Sequence, residues 1–174
     1  MKIFGLAGWS GSGKTTLITR LVPELTGRGL RVSTMKHAHH SFDMDKPGKD
    51  SYVHREAGAT EVMVSSASRW ALLHENRETP EPSMEELIQY MTPVDLLLVE
   101  GFKTYPHDKI EVYRPANGKP LLTTDDGSVV AIATDAPDGL AVSVPILDLN
   151  DTGAIADFIV ACCGLSEERT HGAA

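Results

Sequence analysis

The order of apolar and polar positions predicts a chain of short strands alternating with helices. Lys2–Ala7 is an apolar run ending at Gly8, the pattern of a buried strand. Lys14–Arg28 carries Leu17, Leu21 and Leu25 on one helical stripe, with Pro23 inside it and Gly27 and Gly29 to stop it. Leu30–Met35 is a second strand, so the first 35 residues read as a strand–helix–strand unit of a parallel sheet. Residues 36–50 have no apolar period and read as a loop. Ser51–Gly58 reads as a short helix capped by Asp50. Glu61–Ser66 and Arg69–His74 read as an antiparallel hairpin, and Asn76–Pro82 as a polar link. Ser83 with Glu86 forms a capping box that opens a helix through Tyr90. Val94–Glu100 is continuously apolar and reads as a central strand. Lys109–Tyr113, Val129–Thr134 and Val144–Leu149 are further strands, and Asp151–Cys163 is a closing helix. The expected fold class is α/β: three layers, with a mixed, mostly parallel sheet flanked by helices. Residues 1–174 are taken as a single domain, since neither a repeat nor an interdomain linker interrupts them.

Composition narrows the class. The chain has 16 basic and 24 acidic residues, a net charge of −8, which disfavours general nucleic-acid binding. Its two cysteines, Cys162 and Cys163, are adjacent and close no long loop, which fits a reducing compartment. The start of the chain lacks the apolar run of a secretory signal. Apolar stretches of about five residues fall far short of the ~20 of a membrane helix. A cytoplasmic protein without a membrane anchor is the expectation.

The chemistry begins at Gly8-Trp9-Ser10-Gly11-Ser12-Gly13-Lys14-Thr15, which fits G-x-x-x-x-G-K-[ST] at every fixed position. A polyphosphate is bound by backbone N–H groups only where the chain can wrap tightly around it, and Gly8, Gly11 and Gly13 permit that wrap. The following helix aims its positive end at the phosphates. Lys14 would neutralise β/γ oxygens, and the Thr15 hydroxyl would bind Mg²⁺. Ser10, Ser12 and Thr16 complete the cradle. The motif follows a predicted strand and opens a predicted helix, the context it requires, so the expected architecture is a three-layer P-loop NTPase fold and residues 1–174 a single P-loop nucleotide-binding domain. P-loop ATPases with a second lysine five residues before the loop lysine are disfavoured, because Trp9 stands there. Trp9 reads either as a cover for the phosphates, a partner contact, or a partly buried loop aromatic.

Ligands of open parallel sheets sit at the carboxyl ends of the strands. Asp95 begins the Val94–Glu100 run, about 16 Å from its end at ~3.3 Å per residue. Glu100 ends it and is therefore the expected second Mg²⁺ ligand, with Gly101 allowing close approach. Between Arg28 and Arg55 there are six Lys or Arg, three Asp and four His, so this segment is net positive in an acidic chain. Lys36, His37, His39, His40, Lys46, Lys49, His54 and Arg55 form a candidate patch for a substrate phosphate or a partner. Three other readings stand: a metal site on His37, His39 and His40, a switch loop in which Asp43 or Asp45 positions the attacking water, and a solvated connection. Asp135, after the Val129–Thr134 run, is placed to accept guanine N–H groups, or to initiate a turn before Pro137. There is no N-K-x-D tetrad, so guanine preference is not written in that motif.

With these residues in view, the chain resembles the MobB family of molybdopterin-guanine dinucleotide biosynthesis adapter proteins. The resemblance rests on the loop at 8–16, the run K-H-A-H-H-S-F-D-M-D-K-P-G-K-D-S at 36–51, H-R-E-A-G-A at 54–59, V-E-G-F-K at 99–103 and A-I-A-T-D at 131–135. It implies a GTP-binding protein with weak hydrolysis that uses GTP and Mg²⁺. It implies a homodimer that works with the molybdenum cofactor guanylyltransferase, the enzyme joining GMP to molybdopterin; the basic loop at 36–55 is expected to face the nucleotide, the phosphate of molybdopterin or that partner enzyme. The rival readings are a small-metabolite kinase and a nickel-insertion GTPase, both of the P-loop class.

Overall fold

The computed structural model describes residues 1–38, 42–102, 104–123 and 126–165. The backbone forms two compact units where one domain is expected: residues 1–37 with 92 onward, and residues 38–91.

The larger unit is built on a six-stranded sheet. Its strands are β1 (Lys2–Ala7), β2 (Val32–Lys36), β5 (Leu96–Glu100), β6 (Lys109–Tyr113), β7 (Val129–Thr134) and β8 (Ile146–Asp148). They lie in the order β2-β5-β1-β6-β7-β8, and every neighbouring pair is parallel. The antiparallel part of the expected mixed sheet is instead a separate pair in the smaller unit. β5 lies between β1 and β2, and all five of its residues are buried, which is why it reads as an unbroken apolar run.

Helices α1 (Lys14–Gly27) and α4 (Thr152–Cys163) pack on one face of this sheet. Leu17, Leu21 and Leu25 of α1 and Ile155, Ile159 and Cys163 of α4 close a core against Phe4, Leu6, Leu96, Leu98, Ile110 and Val112. Pro23 sits inside α1 without ending it. Asp151 caps α4, its carboxylate accepting from the Ala154 amide at 2.9 Å. The opposite face carries Lys109 and Glu111, both fully buried. Glu111 accepts from the Leu122 and Thr123 amides, so the β6–β7 connection folds over it. Lys109 donates to Tyr105 O at 2.7 Å and pairs with Asp126 at 3.1 Å. Gly5 faces this side. A Cβ there would stand 2.4 Å from His107 Nε2, so only glycine admits that close approach.

The smaller unit holds α2 (Asp50–Glu56), the hairpin β3 (Glu61–Ser65) and β4 (Trp70–His74), and α3 (Met84–Ile88). The hairpin pairs antiparallel as expected, with Val62 opposite Leu73. The capping box of Ser83 and Glu86 is present in both directions, although α3 stops at Ile88 rather than Tyr90. Asp50 is not the cap of α2. The extended cap residue is Lys49, and Asp50 occupies the first turn, where a carboxylate still favours the helix N-terminus.

Candidate functional site

The loop after β1 stands where the sheet order diverges, with β5 and β2 on one side of β1 and β6, β7 and β8 on the other. That is the crevice where open parallel sheets bind ligands. Gly8, Gly11 and Gly13 all have positive φ, at 140°, 79° and 100°. A Cβ on Gly8 would stand 2.4 Å from Val112 O, so this glycine is required by space as well as by conformation. Gly13 is the left-handed cap of α1, and the Leu17 amide donates back to its carbonyl at 2.9 Å. Lys14 folds back over the loop and donates to Gly8 O at 3.0 Å and Trp9 O at 2.9 Å. Trp9 is a partly buried loop aromatic, its indole donating to Pro120 O at 2.8 Å.

Glu100 arrives from the carboxyl end of β5, as the strand direction requires. Thr15 Oγ1 donates to its two carboxylate oxygens at 3.1 and 3.2 Å. The β2–β5 register sets Lys36 opposite Glu100, and the ammonium lies 3.4 Å from Oε1. Ser10, Gly11, Gly13, Lys14, Thr15, Thr16, Lys36 and Glu100 line a hollow of about 370 Å³. Asp95 is at the other end of the strand, accepting from the Arg31 amide and guanidinium at 2.9 to 3.2 Å.

His37 follows Lys36, its amide donating to Glu100 O at 2.9 Å. Its ring packs on Phe102 at 4.9 Å. Gly101 has φ 93°, and a Cβ on it would stand 3.0 Å from His37 Cβ, so the expected close approach beside Glu100 is made by His37. Phe102 carries the strain of this turn, with φ 48°. Asp135 follows β7 and pairs with Arg114 Nε at 3.3 Å. It borders a second hollow, of about 280 Å³, with Thr134, Pro137, Ile146, Leu147, Asp148 and Asn150.

The remaining candidates belong to the smaller unit. Asp43 accepts from Arg55 at 2.9 and 3.1 Å and from the Asp45 amide at 2.9 Å. The Asp45 amide and the Arg55 guanidinium hold the Asp43 carboxyl below its ordinary pKa. Asp45 accepts from Ser51 Oγ at 2.7 Å and the Lys46 amide at 3.0 Å. Arg55 also pairs with Glu75 at 3.2 Å. Lys46, Lys49 and His54 are exposed. His39 and His40 lie outside the described residues. Among the described residues, no three His, Cys, Asp or Glu side chains converge into a group that could hold a metal ion.

Arg114 and Asn117 were not marked by any sequence signal. They lie in a short irregular turn with neither period nor motif, and only the return of the chain from β6 brings them to the loop.

A parallel sheet with a glycine loop at its switch point, a lysine and threonine opening the next helix, and an acid ending the neighbouring strand define an α/β protein of P-loop-like fold. The sequence matches the family model described as "MobB: Molybdopterin guanine dinucleotide synthesis protein B" over residues 3–135, and the chain belongs to this family. It is similar to the molybdopterin-guanine dinucleotide biosynthesis adapter protein of Escherichia coli strain K12, 44% identical over 161 residues, covering 91% of each chain. The protein of the same name from Haemophilus influenzae is 46% identical over 160 residues, covering 90% of this chain and 86% of that one. The crystal structure of Bacillus subtilis MobB superposes with a TM-score of 0.75 at 26% identity, covering 97% of this chain and all of the other.

Proposed function

We propose that the chain is a GTP-binding adapter of molybdopterin-guanine dinucleotide biosynthesis that assists the guanylyltransferase joining GMP to molybdopterin. The observation that carries the nucleotide part is the Thr15–Glu100 pair at the mouth of the glycine loop. A hydroxyl and a carboxylate are the hard oxygen donors Mg²⁺ prefers, so the residues present fit the ion. When bound, Mg²⁺ would supply positive charge that offsets the phosphates. The amides from Gly11 to Thr16 would cradle the phosphates, and Lys14, now resting on Gly8 O and Trp9 O, would turn to β/γ oxygens. Glu100 is engaged with Thr15 and Lys36, which suits a role in holding the ion, and weak hydrolysis is part of the same reading.

The adapter part rests on the family and on the names of its relatives. Exposed Lys46, Lys49 and His54 suit a pterin phosphate or an acidic partner face. Asp43 and Asp45, held by Arg55 and Ser51, shape that segment. A cytoplasmic homodimer is part of the same reading. Among the described residues no helix is long and apolar enough to cross a membrane.

Calorimetric titration with Mg²⁺–GTP tests the nucleotide part. Lys14→Ala should weaken binding at least about 10-fold, the worth of a charge-assisted hydrogen bond, with circular dichroism unchanged. Unchanged affinity would remove the reading. Lys46→Gln with Lys49→Gln should keep GTP affinity and fail to support guanylation in an assay reconstituted with the transferase.

A further inference from the structure

β6 runs parallel to β1 in a register that pairs Leu6 with Ile110 and Ala7 with Glu111. The chain leaving β6 therefore passes alongside the glycine loop leaving β1. Its next residues, Arg114 and the 3-10 turn Pro115–Asn117, end at Gly118 with φ 61°. The segment is fastened to the loop by the Trp9 indole on Pro120 O at 2.8 Å and by the Lys119 ammonium 5.9 Å from the Trp9 ring centre.

Two side chains of this arm point at loop glycines. A methyl group placed on Gly13 would stand 3.7 Å from Arg114 Nη2, and one placed on Gly11 would stand 4.0 Å from Asn117 Nδ2. Asn117 Nδ2 is a buried atom without a hydrogen bond, and the buried Arg114 Nε has an ion-pair partner, Asp135, but no hydrogen bond. Donors left in this condition cost stability unless an acceptor completes them. Asp135 pairs with Arg114 at Nε, 3.3 Å away, and Nη2 is the guanidinium atom nearest the Gly13 methyl position.

We propose that the 114–117 arm is part of the polyphosphate site: Arg114 and Asn117 donate to phosphate oxygens held by the loop, and Asp135 positions Arg114. The inference rests on the nucleotide reading above and adds two ligand-contacting residues to it. Gly11 and Gly13 flank the amides that cradle α/β phosphates, so the arm serves diphosphate and triphosphate alike. A planar guanidinium fixed by a carboxylate suits an anion with several oxygens.

The test is titration of Mg²⁺–GTP, Mg²⁺–GDP and Mg²⁺–pyrophosphate into the full chain. Pyrophosphate has no base, so a role of Asp135 in reading guanine leaves it untouched. Arg114→Ala should weaken all three about 10-fold to 100-fold, and Asn117→Ala by a smaller factor. Arg114→Lys should recover part of the loss. Asp135→Asn should weaken pyrophosphate as well as the nucleotides. The ligand-free melting midpoint of the Arg114 and Asp135 variants should not fall below the parent's, because both side chains are more than a third exposed and lose only a surface ion pair. Parent-like pyrophosphate and GDP affinities in Arg114→Ala would overturn the proposal while the nucleotide reading stands. So would a loss that follows a fall in the ligand-free midpoint. If the parent binds none of the three probes, the nucleotide reading itself fails and takes this one with it.

Discussion

Asp95 and Glu100 bracket one strand, and their surroundings separate their roles. Asp95 accepts three bonds from Arg31, whereas Glu100 faces Thr15 and Lys36 beside the glycine loop. Glu100→Gln should lower the Mg²⁺ dependence of nucleotide binding about 10-fold to 100-fold, the usual scale for groups that hold or orient metal ligands. Asp95→Asn should lower the thermal midpoint and leave Mg²⁺ dependence alone. Titrating Mg²⁺ against each variant at fixed GTP separates them, and a loss of Mg²⁺ dependence in Asp95→Asn would refute the assignment. The place of Glu100 beside the glycine loop was legible in the sequence, because strand direction alone says which end of β5 lies next to that loop. Lys36 was legible only as one charge in a basic run. Its place opposite Glu100 is a matter of the β2–β5 register.

Among the elements, α1 ties the site to the core. Its first residues, Lys14 and Thr15, serve the loop, while Leu17, Leu21 and Leu25 are buried in the sheet-facing core. Leu21 is fully buried. Leu21→Ala should cost about 2–5 kcal/mol, the transfer and cavity terms together, read by urea unfolding. The chain should still bind nucleotide in conditions where it remains folded. The helical stripe and the loop motif are local patterns, so both could be read directly. The same locality made the hairpin and the Ser83–Glu86 capping box readable. It misled at α2, where Asp50 has the chemistry of a cap but Lys49 has the extended backbone of one. Cap identity depends on which residue leaves the helical conformation first, and side-chain preference is only one contributor.

At the scale of the whole molecule, the pair of Lys109 with Asp126 couples stability to acid pH. Burial raises the Asp126 carboxyl, but bonds from Ser128 and Lys109 outweigh it, and its pKa lies below the ordinary value. A carboxyl depressed in the folded state binds protons more readily when unfolded. Its contribution is therefore complete above the unfolded pKa near 4 and is lost as pH falls through the folded value. Urea midpoints should fall between about pH 5 and pH 3. Asp126→Asn should flatten that acid slope and lower stability at neutral pH by about 1–3 kcal/mol, since Lys109 is buried and loses a charged partner. A variant with the parent's acid slope would show that Asp126 does not set it. The sequence by itself determined the parallel α/β class, the glycine loop, the helix that follows it and the acid that ends β5. Each of these depends on short-range periodicity or on contiguous residues. The tertiary structure decided what depends on strand order: Lys36 opposite Glu100, Lys109 with Asp126, and Arg114 between Asp135 and Gly13. Those partners are separated along the chain and carry no pattern of their own. They meet because parallel pairing sets neighbouring strand ends side by side, carboxyl ends for Lys36 with Glu100 and Arg114 with Asp135, amino ends for Lys109 with Asp126.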